Sequence, residues 1–222
     1  MRWIVTGANR GIGLELAKQL TARGEEVIAT ARDPQAATEL VSLGGRVVPL
    51  DVRDADSVAS FVQALGDEPV DVLINNAGVG GGDALGNVDY DFAQRAFDTN
   101  ALGTIRVVEA VLPKLKRSAV KKVANISSRM GSIEETTGGS YYAYRMSKAA
   151  LNMATRCMAI DLKSDGVAVV SMHPGWVQTD MGGPNAEITT EESATAMLET
   201  IAGLSADQNG TLIDRDGAVI PW

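Results

Sequence analysis

The sequence predicts an α/β fold, a single doubly wound domain with about seven parallel strands and helices on both faces of the sheet. Three observations predict it. Short β-branched runs alternate with helical stretches along the whole chain, which means a parallel sheet covered on both sides, and right-handed crossovers then wind it doubly. No composition break, long linker, internal repeat or low-complexity tract divides the 222 residues, a length that suits one domain. The motifs that carry chemistry fall just after strands, and ligands of such sheets bind there, beyond the carboxyl ends.

The elements follow in order. Trp3-Ile4-Val5 is the heart of a first strand from Arg2 to Thr6. A helix runs from Gly11 to Arg23, and Gly24 stops it. Val27-Ile28-Ala29 is the second strand, followed by a short helix from Pro34 to Leu43. Arg46 to Leu50 is the third strand, Ala55 to Leu65 a helix, and Val70 to Ile74 the fourth strand. A long helix spans Tyr90 to Lys116, its end bent or broken by Pro113. Val120 to Ile126 is the fifth strand, and the helix bearing Tyr144 and Lys148 runs to Lys163. Val167 to Met172 is the sixth strand. A helix from Glu191 to Leu204 and a strand from Thr211 to Ile213 close the chain.

Composition narrows the function classes. The chain is 45% hydrophobic and 22% charged, as ordinary globular proteins are. A net charge of -8 argues against nucleic acid or an anionic membrane as partner, because both need clustered Lys and Arg. The one short basic cluster, Lys114, Lys116, Arg117, Lys121 and Lys122, reads as a solvated helix end. Cys157 is the lone cysteine and reads as a small apolar core residue; no intrachain disulfide can form. No apolar run approaches the ~20 residues of a membrane span. The first strand begins beside Met1 and leaves no room for a signal peptide, so a cytoplasmic setting is expected.

Tyr144-Arg145-Met146-Ser147-Lys148 places a Tyr and a Lys at i and i+4, on one helix face. A free phenol, with a pKa of about 10, is a poor base at neutral pH. A lysine ammonium held close favours the phenolate and brings the Tyr toward acid/base chemistry. By itself such a pair is usually a surface pair. It gains weight from Gly7-Ala8-Asn9-Arg10-Gly11-Ile12-Gly13 and Asn75-Asn76-Ala77-Gly78 upstream. Thr6-Gly7 ends the first strand, and Gly11 and Gly13 open the next helix. Glycines there let backbone approach a pyrophosphate, and free N–H groups at the helix start attract it. The spacing GxxxGxG departs from the GxGxxG fingerprint, but it stands at the first β–α junction, where a dinucleotide binds.

An NAD site wants an acid about twenty residues on, to hold the ribose 2′-OH. Ala31 stands in that place and Arg32 follows it. A guanidinium suits a 2′-phosphate, and Arg10 in the glycine loop can reach the same group, so NADP(H) is preferred. Asp33 keeps NAD(H) open, should the strand end one residue later.

In this order the motifs resemble the short-chain dehydrogenase/reductase family, in its compact single-domain Rossmann branch. Thr6 to Gly13 is similar to that branch's TGxxxGxG, which implies cofactor contacts from Gly7, Asn9, Arg10, Gly11, Ile12 and Gly13. Asn75 to Gly78 is similar to its NNAG, which braces the sheet beside the adenosine and implicates Asn75, Ala77 and Gly78. Asp51 and Val52 resemble the residues at the adenine. Pro174-Gly175-Trp176-Val177-Gln178-Thr179 resembles the PGxxxT at the nicotinamide carboxamide, implicating Pro174, Gly175, Val177 and Thr179. Asn125-Ile126-Ser127-Ser128 resembles the strand that delivers a catalytic Ser. The longer segment Glu134 to Tyr142 leaves Ser127 and Ser128 both open, and likeness to the family's second Ser selects Ser128. Ser128 to Ile133 and the ending Ile220-Pro221-Trp222 further resemble the C-factor and sniffer-like carbonyl-reductase group.

The resemblance implies hydride transfer between NADP(H) and a carbonyl or alcohol. Tyr144 would be the acid/base, Ser128 the donor to the carbonyl oxygen, and Lys148 the group that lowers the Tyr pKa and holds the nicotinamide ribose. Asn100 would hold a water linking Lys148 to solvent. The alternative is a dinucleotide-binding regulatory or signalling protein with little turnover. A Ser-His-Asp hydrolase lacks its GxSxG elbow, and the single His173 shapes a turn before Pro174. One His and one Cys do not make a metal site. Val79–Asp83, flexible by its glycines, with Arg129–Tyr142 and Asp180–Thr189, should border the substrate, an open pocket for modest carbonyls. Tyr141 and Tyr142 either line that pocket or pack on the following helix. Small residues and Met on the Tyr144 helix, with the Tyr90 helix, imply a homodimer or homotetramer interface by the same likeness.

Overall fold

The computed structural model describes residues 1–222. Its strands are β1 (Arg2–Val5), β2 (Glu26–Ala31), β3 (Arg46–Pro49), β4 (Val72–Asn75), β5 (Lys122–Ile126), β6 (Ala168–His173), β7 (Leu212–Asp214) and β8 (Val219–Ile220). Its helices are α1 (Gly11–Ala22), α2 (Thr38–Ser42), α3 (Ala55–Ala64), α4 (Tyr90–Phe97), α5 (Gly103–Leu115), α6 (Tyr142–Asp161) and α7 (Thr190–Ala202). The strands form one sheet in the order β3-β2-β1-β4-β5-β6-β7-β8. All neighbours are parallel except β7 and β8. The sheet therefore has eight strands rather than about seven. The extra one is an antiparallel edge of two residues, too short to leave a periodicity.

Alternation along each strand feeds two cores. Trp3 and Val5 of β1 pack with Leu16 and Leu20 of α1 and with Met197, Leu198 and Ile201 of α7. Ile4 between them points the other way, to Phe61 and Leu65 around α3 and to Val107, Val111 and Leu115 of α5. Both faces are thus buried, as a parallel sheet requires. Local signals set the helix starts: the Asp54 and Asp89 carboxylates cap α3 and α4, and a Thr189–Glu192 capping box opens α7.

The helix expected from Tyr90 to Lys116 is divided. One π-turn, Asp98–Leu102, stands between α4 and α5. Such single turns often occur at functional sites, and this one contains Asn100. Pro113 lies inside α5, which continues to Leu115. Two side-chain expectations also fail. Cys157 is exposed on α6, not in the core, because its neighbours Thr155 and Ala159 take the inward positions. The basic cluster is not merely solvated. Lys122 Nζ donates to the Ile201 and Ala202 carbonyls at 2.9 and 2.7 Å, and Lys114, itself buried, reaches the Gly66 carbonyl. These cations satisfy carbonyls that helix ends leave open.

Candidate active site

A cleft of about 1090 Å³ opens where the strand order reverses, between the loops after β1 and β4. That is the usual ligand position in a doubly wound sheet. The glycine loop borders it through Gly7, Asn9, Arg10, Gly11, Ile12 and Gly13. So do Arg32, Asp51, Val52, Ala77, Gly78, Tyr144, Lys148, Pro174 and Thr179.

Asn75, Asn100, Ser128, Gly175 and Val177 do not border the cleft, whereas Ser127 does. Asn75 is buried in β4, with Nδ2 donating to Asn125 Oδ1 at 2.9 Å; its neighbour Asn76 takes the cleft position. Gly175 lies beneath Ile188, and Val177 is 4% exposed. Asn76, Arg53, Phe92, Arg95, Thr99 and Gln178 border the cleft without having been expected to. Phe92, Arg95 and Thr99 stand at i, i+3 and i+7, a helical face that periodicity alone could have flagged.

The glycine loop is held by Asn76. Its Nδ2 donates to the Thr6 and Gly7 carbonyls at 3.0 Å each. This works because Gly13 lacks a side chain: a Cβ there would lie 2.4 Å from Asn76 Nδ2 and 2.5 Å from the Gly7 oxygen. Gly13→Ala is therefore expected to destabilise the protein by about 1–3 kcal/mol and to weaken dinucleotide binding. Urea unfolding and a fluorescence titration with NADPH check both effects.

Lys148 is buried on α6, and its Nζ donates to the Ile126 carbonyl at 2.8 Å. Burial pulls its pKa from 10.5 down to about 8. The ammonium lies 5.7 Å from the centre of the Tyr144 ring. Burial also pushes the Tyr144 phenol above its ordinary pKa, and Ser128 draws it down by less. The expected lowering of the Tyr pKa by Lys148 is absent in the free protein, where desolvation dominates the phenol. Tyr144 therefore keeps its proton at neutral pH.

The two serines are placed differently. The buried Ser127 Oγ donates to Asn152 Oδ1 at 2.6 Å. Ser128 faces the phenol, and its Oγ also accepts from Met130 N–H at 3.1 Å. Asn100 lies behind them. Its carboxamide exchanges two hydrogen bonds with the Val79 backbone, at 2.8 and 2.9 Å, and donates to Ser147 Oγ at 2.9 Å. These bonds fix the loop after β4. Asn100 Oδ1 also stands 3.1 Å from where a Gly78 Cβ would lie, and Lys148 Nζ 3.7 Å from it.

Of the segments expected to border substrate, Val79, Asp180 and Met181 reach the cleft, and nothing from Arg129–Tyr142 does. The glycines of Val79–Asp83 serve close packing rather than flexibility. Added Cβ atoms would meet Met181 Sδ at 2.6 Å on Gly80, the Phe92 ring at 2.9 Å on Gly81 and the Tyr141 ring at 3.1 Å on Gly82. Tyr141 thus packs over this loop instead of lining the cleft. Asp83 anchors the same loop to α6, its carbonyl accepting from Tyr141 N–H at 2.7 Å and its carboxylate from Ala143 N–H at 3.3 Å. His173 ends β6 opposite Asp214 of β7, and burial pushes its pKa down to about 4.

The arrangement is a dinucleotide-sized cleft with a proton-bearing phenol and a buried amine at one wall and the Ser128 hydroxyl against the phenol. The family model for short chain dehydrogenase matches residues 2–189. The C-signal of Myxococcus xanthus is 54% identical over 155 residues, 69% of this chain and 93% of its own. The carbonyl reductase Sniffer of D. melanogaster superposes with a TM-score of 0.96 at 33% identity, covering 100% of this chain and 99% of its own. An NADPH-bound carbonyl reductase from chicken fatty liver gives 0.95 at 36% identity, covering 100% and 98%. No helix is long and apolar enough to cross a membrane. Motifs, cleft and neighbours agree, and the chain belongs to the short-chain dehydrogenase/reductase family, an oxidoreductase of its C-factor and Sniffer-like group.

Proposed function

We propose that the protein is an NADP(H)-dependent carbonyl reductase, with Tyr144 as acid/base, Ser128 as donor to the carbonyl oxygen and Lys148 and Asn100 in support. The observation that carries this is the pair Tyr144 and Lys148 on the wall of a cleft lined by the glycine loop, with the Ser128 hydroxyl against the phenol. When bound, NADPH supplies a hydride from the nicotinamide. The Tyr144 phenol gives its proton to the carbonyl oxygen as negative charge develops there, and the Ser128 hydroxyl donates a hydrogen bond to the same oxygen. Lys148, a buried amine, would hold the nicotinamide ribose, and Asn100 would connect Lys148 to solvent through a water.

The residues fit NADP(H). The glycine loop is shaped by Gly13 and Asn76 to bring backbone close to a pyrophosphate. Ala31 is buried at the end of β2, and Arg32 follows it at the cleft. Asp33 also borders the cleft, but its Oδ1 accepts from Gln35 N–H at 2.9 Å and Ala36 N–H at 3.4 Å, which occupies it in a turn. Asp51 is tied to the Arg53 guanidinium at 2.7 Å. Arg10 pairs with Asp180 at 2.6 Å, both side chains well exposed, a weak pair that an incoming phosphate can displace.

NADPH oxidation over a panel of aldehydes, ketones and quinones tests the reading. Turnover on several panel members is expected; tight NADPH binding with none would favour the regulator, the second reading that the likeness to C-signal raises. Arg32→Ala is expected to weaken NADPH about 10- to 100-fold, the worth of a charge-assisted contact, while NADH binding changes little. Equal losses for both cofactors would show that Arg32 does not read the 2′-phosphate.

A further inference from the structure

We propose that Asn152 is a positioning residue that sets the register between Ser128 and Tyr144, an inference resting on the reading of those two as the proton-handling pair. Tyr144, Lys148 and Asn152 stand at i, i+4 and i+8 of α6, so one face of the helix presents all three. Asn152 is 3% exposed, and its carboxamide is used at both ends. Oδ1 accepts from Ser127 Oγ at 2.6 Å, and Nδ2 donates to the Gly131 carbonyl at 3.2 Å. A carbonyl can only accept, which fixes the orientation of the amide. Ser127 and Gly131 bracket Ser128.

The same turn is pressed onto the helix at Lys148. A Cβ on Gly131 would lie 2.8 Å from the Lys148 carbonyl carbon and 2.9 Å from its Cβ. The connection from β5 therefore touches α6 at Lys148 and is hydrogen-bonded to it one turn further on. Ser128 cannot slide along the helix without orphaning two buried polar groups. A Leu at position 152 would fill the space but specify no register. Asn is a modest helix former, and both its bonds leave its own helix, which is the pattern of a residue kept for an inter-element contact. Lys148 is the charged group beside the phenol, and Ser128 is the facing hydroxyl from the neighbouring connection.

The test is a double-mutant cycle of Asn152→Ala and Ser128→Ala with two readouts. One is kcat for NADPH-dependent carbonyl reduction. The other is the titration of Tyr144, read as phenolate absorbance against a matched Tyr144→Phe protein and independent of turnover. Asn152→Ala alone is expected to lower kcat on the order of 10- to 100-fold, to leave the Kd for NADPH unchanged and to raise the Tyr144 titration midpoint. In the Ser128→Ala background it should change kcat by less than about twofold and leave the midpoint unmoved. Equal losses in both backgrounds, or an unmoved midpoint in the single variant, would overturn the proposal. Ser127→Ala removes one of the two bonds with less loss of volume, and it decides the matter should Asn152→Ala fail to fold. Its effects should be smaller, of the same sign, and lost in the Ser128→Ala background; effects that persist there overturn the proposal. Absence of turnover in the wild type would sink the reductase reading, while the phenol titration would still report the Asn152–Ser128 coupling.

Discussion

Tyr144→Phe is expected to lower kcat for carbonyl reduction by about 10²–10⁴-fold, the range for loss of a positioned proton donor, while NADPH binds with nearly wild-type affinity. The variant deletes one oxygen from a side chain that burial already holds in its protonated form. The ring stays, with Lys148 beside it, so the cleft keeps its shape. Loss of kcat without loss of cofactor affinity is the signature of an interaction made in the transition state. Stopped-flow measurement of NADPH oxidation, with a separate binding titration, checks it. Equal rates in both proteins would remove the assigned acid/base.

Lys148→Met is expected to inactivate the protein and, at neutral pH, to stabilise it. The fall in the Lys148 pKa from 10.5 to about 8 corresponds to ~3 kcal/mol of cost for burying its charge. Below pH 8 the folded and unfolded chains are both protonated there, and the whole cost is present. As the pH rises from about 8 to 10.5, the folded protein loses the proton first and the cost declines; above 10.5 it is gone. Methionine removes that cost but leaves the Ile126 carbonyl without its donor, a loss of ~1 kcal/mol. The net gain at pH 7 is therefore about 1–2 kcal/mol, and it should shrink and reverse by pH 10.5. Urea unfolding of both proteins at the two pH values measures it. A variant less stable at pH 7 would show that the ammonium is better solvated than its burial implies.

Sequence legibility followed the physics of each feature. The parallel strands were readable because burial on both faces makes most of them short β-branched runs, as in Val169-Val170 of β6. The eighth was not, since Val219–Ile220 is two residues at an edge. The π-turn at Asp98–Leu102 keeps helical composition and leaves no signature, so α4 and α5 read as one helix. Tyr144 and Lys148 were legible because i, i+4 spacing fixes a shared face whatever surrounds it. The sign of the phenol's shift was not legible, because desolvation depends on packing that no local motif encodes. Glycines 80 to 82 read as flexible from composition alone, while Met181, Phe92 and Tyr141, which pack on them, belong to other elements, two of them far off in the chain. Asn152 was missed for the same reason: its partners Ser127 and Gly131 are remote in sequence.

The most direct measurement is a crystal structure of the protein with NADP⁺. The pyrophosphate should lie on the loop from Gly7 to Gly13, the 2′-phosphate against Arg32, and the nicotinamide C4 within about 4 Å of the Tyr144 hydroxyl, close enough for a carbonyl to lie between hydride and proton donors. A nicotinamide ring lodged away from Tyr144 and Lys148, or a dinucleotide bound outside this cleft, would contradict this placement.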